Sequence, residues 1–364
     1  MKKDKTTNTI NRNNNFGMLH LMASFFVLYG HQYRLLNQSP PVVLGNQIHE
    51  LGVKTIFLIS GYLIAKSLFS MTCGRKKVTA VYLLKRIGRL FPEFLFCLIT
   101  TAFFIAPLFT TLTVKEYFYN MDSIVFYIKN NLFLYPIFHL PGVFAVNPFA
   151  GTVNGSLWTM PLEVAMYLCF LLIMLFFREK NRQRIVYTLF GAGIFILWSI
   201  KIIYLPEARW VFYGTDWAAA LYDIVYFVIG GGIYFWKPKF DIQKSFFLLL
   251  LLGIFNFNVA FGREIICMAA LSCCIFSLGF AEKQSLNLPW LHPECAYGVY
   301  LWGFPVQQCI INLFYITGKI QSANLLFLIS SVIAYILARF SYRYIYKPFS
   351  KINNRIISYI DERL

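Results

Sequence analysis

Residues 16–36 read FGMLHLMASFFVLYGHQYRLL, an apolar stretch long enough to cross a bilayer as a helix, and they include two histidines, His20 and His31. Ionisable side chains are costly inside a membrane and therefore mark candidate functional positions. Because the histidines are eleven positions apart, a helix would place them on nearly the same face, about 16 Å apart along its axis. This segment predicts a membrane fold with an elongated site inside it.

The rest of the chain has the composition of an integral membrane protein. Of its 364 residues, 58% are hydrophobic and 13% are charged, and the mean hydropathy is +0.58, which excludes an ordinary soluble globular protein. The net charge of +17 comes from short Lys and Arg clusters between apolar runs, a pattern that predicts membrane topology and not nucleic-acid binding. The first apolar run lacks a small-residue cleavage site, so we expect it to remain as the first span.

Apolar runs of about 17 residues or more predict an all-α polytopic protein with about ten transmembrane helices. With the N-terminus inside, most of the 33 Lys and Arg residues fall on the cytoplasmic side, so both termini are predicted to be cytoplasmic. The predicted domains are a cytoplasmic tail (1–15), a transmembrane domain (16–348) and a cytoplasmic C-terminal tail (349–364). The predicted spans are 16–36, 50–70, 91–112, 156–177, 185–204, 217–236, 245–261, 265–281, 296–317 and 323–345.

Two segments between the predicted spans have distinct compositions. Residues 78–92 combine Lys85, Arg86 and Arg89 with an apolar face, which predicts a basic amphipathic helix at the inner surface, in contact with acidic lipid. Residues 113–155 form the longest loop, on the outer side, rich in aromatic residues, Pro and Gly. A loop of this length predicts a cover over a site. The eight cysteines show neither a disulfide framework nor zinc-ligand spacing, so no metal is expected.

A second ionisable group lies inside a predicted span, in residues 154–168, which read NGSLWTMPLEVAMYL. Counted from the outer face, Glu163 and His31 fall at similar depth in the outer half of the membrane. A histidine beside a carboxylate can act as a general base, because the carboxylate fixes the tautomer and stabilises the imidazolium. The alternative is that each is a polar residue hydrogen-bonded to a neighbouring helix. His49, His139 and His292 belong to no pattern that assigns them a role.

Five motifs, in order, resemble those of the integral membrane acyltransferase 3 family. They are residues 15–31 (NFGMLHLMASFFVLYGH), 53–68 (VKTIFLISGYLIAKSL), 82–92 (YLLKRIGRLFP), 154–168 and 297–307 (YGVYLWGFPVQ). The resemblance implies an O-acyltransferase that moves an acyl group, commonly acetyl from acetyl-CoA as co-substrate, to a sugar hydroxyl outside the cytoplasm. The implied acceptor is a surface glycan or lipid-linked sugar such as lipopolysaccharide. The Lys-, Asn- and Phe-rich composition, the multiple spans and the lack of a signal peptide predict a bacterial inner membrane as the location.

Three positions depart from the family pattern. His20 stands where the family has Arg, Gly303 where many relatives have His, and Tyr346 where a Glu often precedes Lys-Pro. Because of these departures, one alternative is a non-catalytic relative that serves as a sensor or assembly partner. Another alternative is a proton-coupled carrier of a small molecule, which intramembrane His and Glu would also suit. Consumption of labelled acyl-CoA would distinguish the enzyme from both.

The resemblance and the helix geometry together predict a donor site. Cytoplasmic acyl-CoA would present its phosphates to Lys85, Arg86 and Arg89, since guanidinium groups suit phosphate. Its pantetheine arm would pass His20 and bring the thioester to His31, because the histidine stripe is as long as the extended arm. The donor site would therefore open at the basic inner surface and extend into the membrane.

The same reasoning predicts the catalytic and acceptor residues. His31 would act as general base on the acceptor hydroxyl or as a transient acyl carrier, and Glu163 would orient it or handle the acceptor. Ser60 would hydrogen-bond the thioester or the acceptor, although the Ser-Gly pair also suits close helix packing. The residues predicted to line the outer substrate pocket are Asn154, Trp158 and Tyr167. Trp158 is equally typical of an interfacial belt, and Tyr167 is placed to bond Glu163.

Overall fold

The chain folds almost entirely into helices. The computed structural model describes residues 14–43, 45–240, 260–281, 286, 288–316 and 322–363. The α-helices in these ranges are α1 (Phe16–Leu35), α2 (Ile48–Phe69), α3 (Arg75–Thr100), α4 (Val114–Tyr119), α5 (Met121–Leu132), α6 (Thr159–Phe176), α7 (Lys180–Tyr204), α8 (Trp217–Trp236), α9 (Ala260–Gly279), α10 (Ala296–Ile316), α11 (Ala323–Ser341) and α12 (Lys347–Arg363). We call the end of the bundle at which α1 begins the basic end, and the opposite end the loop end.

Seven helical segments of the described chain are long and apolar enough to cross a membrane: α2, α3, α6, α7, α8, α9 and α11. Adjoining turns extend α3 and α6, and the segment that contains α11 continues into α12 as far as Ile360. Helices α1 and α10, of 20 and 21 residues, pack against them, and their His, Gln and Asn side chains reduce their hydropathy. The prediction of an all-α polytopic membrane protein is confirmed. Most of the predicted span 245–261 and of the predicted tail 1–15 lies outside the described residues.

The basic segment 78–92 is not a separate helix, because it forms the first part of α3, which continues through a π-helical turn (Thr101–Ile105) to Leu108. One side of the segment is buried in the bundle, at Val78, Val81 and Tyr82. Because this side packs against other helices, the segment lies within the bundle as the start of the span that follows. The segment 349–363, predicted as part of a tail, likewise belongs to α12, which follows α11 through the π-helical turn Tyr342–Tyr346.

Helix α2 lies at the centre of the bundle and packs most extensively against α8 and α1. Glycines allow the closest approach: a Cβ added to Gly61 would lie 1.9 Å from the carbonyl oxygen of Phe227, and one added to Gly230 would lie 1.9 Å from that of Leu58. Small residues are used in this way where membrane helices approach closely. The α2–α8 contact therefore fixes the relative position of two helices that line the pocket inside the bundle.

The long loop between α3 and α6 is partly helical and partly packed into the bundle. It contains α4 and α5, and its irregular second half reaches α10, where Asn147 Nδ2 donates to Gln308 Oε1 (2.8 Å) and Asn312 Nδ2 donates to Asn147 Oδ1 (2.6 Å). Short β-hairpins, β1–β2 (Val42–Val43, Asn46–Gln47) and β3–β4 (Val211–Phe212, Thr215–Asp216), precede α2 and α8. The loop end is thus covered by ordered structure.

Candidate functional site

An elongated pocket lies inside the bundle between α1, α2, α3, α6, α8 and α10. Its lining runs along α2 from Val53 to Ile64, about 16 Å of helix. The enclosed space is about 190 Å³, less than the roughly 300–1,000 Å³ of sites that enclose a drug-sized ligand. The pocket is therefore too small to enclose a whole ligand of that size.

Two arginines of α3 face this pocket. The Arg86 guanidinium lies 5.2 Å from the ring centre of Tyr82 and 5.4 Å from that of Tyr167. The Arg89 guanidinium lies 5.7 Å and 5.3 Å from the rings of Tyr297 and Tyr346. Within the described residues neither arginine forms a carboxylate ion pair. Their N–H groups are therefore available to an anionic ligand, while aromatic rings hold the guanidinium planes.

Glu163 is held in the pocket by its own helix. The Tyr167 hydroxyl, one turn further along α6, donates to Glu163 Oε1, and both residues line the pocket. The backbone of α6 is in turn fixed to α3, because the Tyr82 hydroxyl donates to the carbonyl oxygen of Tyr167 (3.1 Å). The carboxylate is therefore positioned beside the two arginines of α3.

His20 shares this pocket with Glu163. Its Nε2 lies 3.2 Å from the carbonyl oxygen of Ile56, and because a carbonyl only accepts, Nε2 carries a proton and donates. Ser24, one turn further along α1, donates to the carbonyl oxygen of Ala296 (3.0 Å). These bonds tie α1 to α2 and α10 and fix the His20 ring against the pocket wall.

His31 lies outside the pocket, towards the loop end. Its ring centre is 5.4 Å from that of His49 on α2 and 5.6 Å from that of Phe304 on α10. Arg34 Nη1 lies 3.3 Å from His49 Nε2. On α2, His49 precedes the pocket residue Val53 by four positions, and on α1, His31 follows the pocket residue Ser24 by seven, so about one to two helical turns separate the His31 site from the pocket.

The structure differs from the expectation that Glu163 and His31 lie at the same depth. The segment before α6 enters the bundle before the helix begins: the turn Gly155–Trp158 is largely buried, and Asn154 Nδ2 donates to the carbonyl oxygen of Leu301 on α10 (3.0 Å). Helix α6 therefore begins well inside the bundle, and Glu163 reaches the level of His20. No hydrogen bond joins Glu163 to His31 among the described residues.

The other predicted site residues take different positions. Ser60 lines the pocket, next to the closely packed Gly61. Asn154 is 1% exposed and caps the turn before α6 through a bond from Ser156 N (3.1 Å). Trp158 packs against the core without lining the pocket, and Lys85 is exposed and points away from it. Of the ten residues predicted for the site, the pocket brings together His20, Ser60, Arg86, Arg89, Glu163 and Tyr167.

The pocket also contains residues to which the sequence assigned no role. Tyr297 and Tyr300 of α10 line it, and the Tyr300 hydroxyl is hydrogen-bonded to Thr159 Oγ1 (2.8 Å). The two tyrosines are three positions apart in the 297–307 motif, a spacing that places both on one helix face. This spacing of two hydroxyl groups within an otherwise apolar predicted span is the sequence signal that could have identified both tyrosines as pocket residues.

Two of the departures from the family pattern have structural explanations. A Cβ added to Gly303 would lie 2.3 Å from Leu28 Cδ1, so glycine lets α10 approach α1. Tyr346 stacks on Arg89 and thus contributes to the pocket through that arginine. Among the described residues, no group of three or more His, Cys, Asp and Glu side chains is arranged to hold a metal ion.

Comparisons with known proteins agree with this architecture. The family model of the acyltransferase 3 family, described as an acyltransferase domain, matches residues 16–343. The chain is 27% identical over 347 residues to the O-acetyltransferase OatA of Staphylococcus aureus, covering 86% of this chain and 54% of the relative. It is 26% identical over 331 residues to the O-acetyl transferase of Shigella phage Sf6, covering 88% of this chain and 93% of the relative. The chain spans about half the length of the OatA relatives, and no solved structure matches it.

Proposed function

This chain belongs to the acyltransferase 3 family, and we propose that it transfers an acetyl group from acetyl-CoA to a hydroxyl group of a cell-surface sugar. The observation that carries the proposal is the pocket in which two arginines, without ion-pair partners among the described residues, face His20 and Glu163 inside a membrane helix bundle. The names of the two relatives, O-acetyltransferase OatA and O-acetyl transferase, support the same activity. A bacterial cytoplasmic membrane is the proposed location.

Arg86 and Arg89 would bind the phosphates of acetyl-CoA. Planar guanidinium groups pair with phosphate oxygens through two parallel hydrogen bonds, and both groups are already oriented by tyrosine rings. The enclosed volume of about 190 Å³ would admit the acyl-bearing pantetheine arm and leave the nucleotide at the basic end. Lys85 is exposed on the same helix and would contribute only long-range attraction, screened by salt.

Inside the pocket, the polar residues would position the thioester. His20, Glu163 and Ser60 line the pocket, so they would lie beside the arm. In the transfer, the acceptor oxygen forms a bond to the acetyl carbonyl carbon, the carbon–sulfur bond breaks, and the hydroxyl proton passes through a base to the departing thiolate. Glu163 would orient the acceptor or take part in this proton transfer, and Tyr167 would hold its carboxylate.

His31 would act where the acetyl group meets the acceptor at the loop end. It would serve either as the general base that takes the hydroxyl proton or as a transient acyl carrier. Since about one to two helical turns separate His31 from the pocket, the thioester or the acceptor hydroxyl must cross this distance before transfer. Asn154 would contribute by holding the turn before α6 in the bundle, and Trp158 by packing beside it.

The test measures the ester content of the cell-surface glycan by NMR in cells that express the wild type, His31→Ala or Glu163→Ala at matched protein levels. We expect the wild type to add O-acetyl signals and both variants to lose them. Membranes supplied with labelled acetyl-CoA and glycan should release free CoA with the wild type only. A wild type that neither adds ester nor releases CoA would refute the acyltransferase proposal and favour a carrier or a non-catalytic relative.

A further inference from the structure

Helices α1 and α2 cross at the His31 site with unusually little space between them. A Cβ added to Gly30 would lie 2.6 Å from His49 Nδ1, so the His49 ring rests on the backbone of α1 directly before His31. The two ring centres are 5.4 Å apart, which brings a hydrogen bond between the rings within reach of a small side-chain rotation. His49 is 5% exposed. Helix packing therefore holds the two histidine rings next to each other at the loop end.

The hydrogen bond from Arg34 fixes the tautomer of His49. A guanidinium only donates, so His49 Nε2 accepts from Arg34 Nη1 (3.3 Å) and the ring proton is on Nδ1. His49 Nδ1 and His31 Nδ1 are both buried and have no hydrogen-bond partner in the described part of the chain. Neighbouring rings can form a hydrogen bond between these two Nδ1 atoms only if one of them carries a proton and the other does not, so two protonated Nδ1 atoms are a mismatched pair.

The mismatch follows from the role of His31. If His31 accepts a proton or an acyl group at Nε2, its own proton must be on Nδ1. That N–H needs an acceptor, and the neighbouring candidate is His49 Nδ1, which is protonated while Arg34 holds Nε2. The pair becomes matched when Arg34 releases His49, because the His49 proton can then move to Nε2 and Nδ1 can accept from His31.

Arg34 is suited to be drawn away by an anion. Its side chain is exposed at the loop end, and no carboxylate pairs with it among the residues that the structure describes. Four of its five N–H groups remain for a ligand, and a guanidinium binds phosphate and carboxylate through two parallel bonds. A charge-assisted pair with an anionic group on the acceptor would be stronger than the single 3.3 Å bond to the neutral His49 nitrogen, so movement of the guanidinium towards the anion would break that bond.

We propose that Arg34 is a specificity-determining residue that keeps His31 inactive through His49 until an acceptor with a phosphate or carboxylate group engages the guanidinium. This inference rests on the proposed function, and it narrows the acceptor to an anionic sugar or a sugar linked to a phosphate. His49 is the positioning residue that transmits the change. A neutral acceptor, or water, leaves His31 without a partner for its Nδ1 proton and reacts slowly.

The first experiment measures hydrolysis of acetyl-CoA by the 364-residue chain in proteoliposomes without glycan: water takes the acetyl group as acetate, its proton passes to the thiolate, and free CoA is released. Inorganic phosphate and methyl glucuronoside serve as separate anionic probes, and methyl glucoside as the neutral probe. Wild type should be stimulated by the anions, and the two anionic arms distinguish phosphate from carboxylate. Arg34→Leu should release CoA about 10- to 100-fold faster without anion, the equivalent of one charge-assisted hydrogen bond, and should no longer respond to anions. Arg209→Leu, which removes another exposed loop-end arginine, should behave like wild type.

Variants of His49 separate positioning from stability. Asn at this position offers an amide oxygen that can accept from His31 whether or not Arg34 is bound, so His49→Asn should retain activity and lose its dependence on anions. His49→Leu should be slow under all conditions. The ¹⁵N chemical shifts of the histidine rings report the tautomers directly, and because the chain has five histidines, His49 can be assigned by substitution. Arg34→Leu should move the His49 shifts towards the Nε2–H tautomer.

The outcomes distinguish the two proposals. If wild type transfers acetyl to glycan while Arg34→Leu remains slow or remains stimulated by anions, the role of Arg34 is refuted and the proposed function stands. If His49→Leu is as active as wild type, His49 does not position His31. If no variant and no condition releases CoA, the proposed function itself fails.

Discussion

Replacement of Arg86 by glutamine tests the proposed donor site most directly. The guanidinium contacts two aromatic rings, of Tyr82 and Tyr167, and forms no ion pair in the described structure, so its removal breaks no salt bridge. A hydrogen bond to a charged group contributes about 1.5–3 kcal/mol. Loss of one such bond to a phosphate corresponds to an increase of about 10- to 150-fold in KM for acetyl-CoA. Lysine at this position keeps the charge without the planar fork and should recover only part of the loss.

The assay compares two donors in proteoliposomes. Acetyl-CoA has the phosphates, whereas acetyl-pantetheine lacks them, so Arg86→Gln should raise KM for the first and leave that for the second within about twofold. Lys85→Gln is the matched control, because it removes one charge from an exposed position on the same helix. Equal loss with both donors would mean that Arg86 supports the pocket and does not bind phosphate. Equal loss in Lys85→Gln would mean that general basic charge is sufficient.

Three further predictions concern the site and its frame. Tyr167→Phe removes the hydroxyl that donates to Glu163, so kcat in labelled-acetyl transfer should fall while KM for acetyl-CoA stays within about threefold. Glu163→Gln should lower kcat by about 10²- to 10⁴-fold. An unchanged kcat in Glu163→Gln would exclude a part of Glu163 in proton transfer. Gly230→Ala places a Cβ 1.9 Å from a carbonyl oxygen of α2, so the melting temperature in detergent should fall by the equivalent of about 1–3 kcal/mol, and a thermogram like that of wild type would contradict the close contact. Lys54→Met leaves the buried Glu264 carboxylate without its 2.8 Å partner and should destabilise the protein by about 3–5 kcal/mol. The double variant Lys54→Met with Glu264→Gln should recover stability. If it does not recover stability, Lys54 acts through packing.

Much of the fold is readable from the chain because helices in lipid must satisfy their own backbone groups. Long apolar runs therefore become helices with little choice of structure, and the observed α1, α7 and α8 begin and end close to the predicted limits. The residues of the pocket were also accessible, since ionisable groups inside apolar runs are rare and have a cost. His20 and Glu163 were found by this rule, Arg86 by the basic amphipathic pattern of residues 78–92, and the structure brings all three to one pocket.

The depth at which each helix begins was not readable in this way. Hydropathy reports which residues are in the membrane region but does not report that an irregular polar segment enters the bundle, as residues 147–158 do by bonding to α10. This entry moves Glu163 from the expected level of His31 to that of His20. The contact of His49 with His31 was equally hidden, because it depends on the absence of a side chain at Gly30, on another helix.

The sequence by itself therefore determined the class of fold, the family motifs and the chemical types present at the site, because composition and spacing act locally along each helix. The tertiary structure decided which of these groups meet: Arg86, Arg89, His20 and Glu163 in one pocket, and His31 with His49 at another place. The physical reason is that glycine contacts and polar bonds between helices set helix register and depth, and these contacts join residues that are distant in the chain.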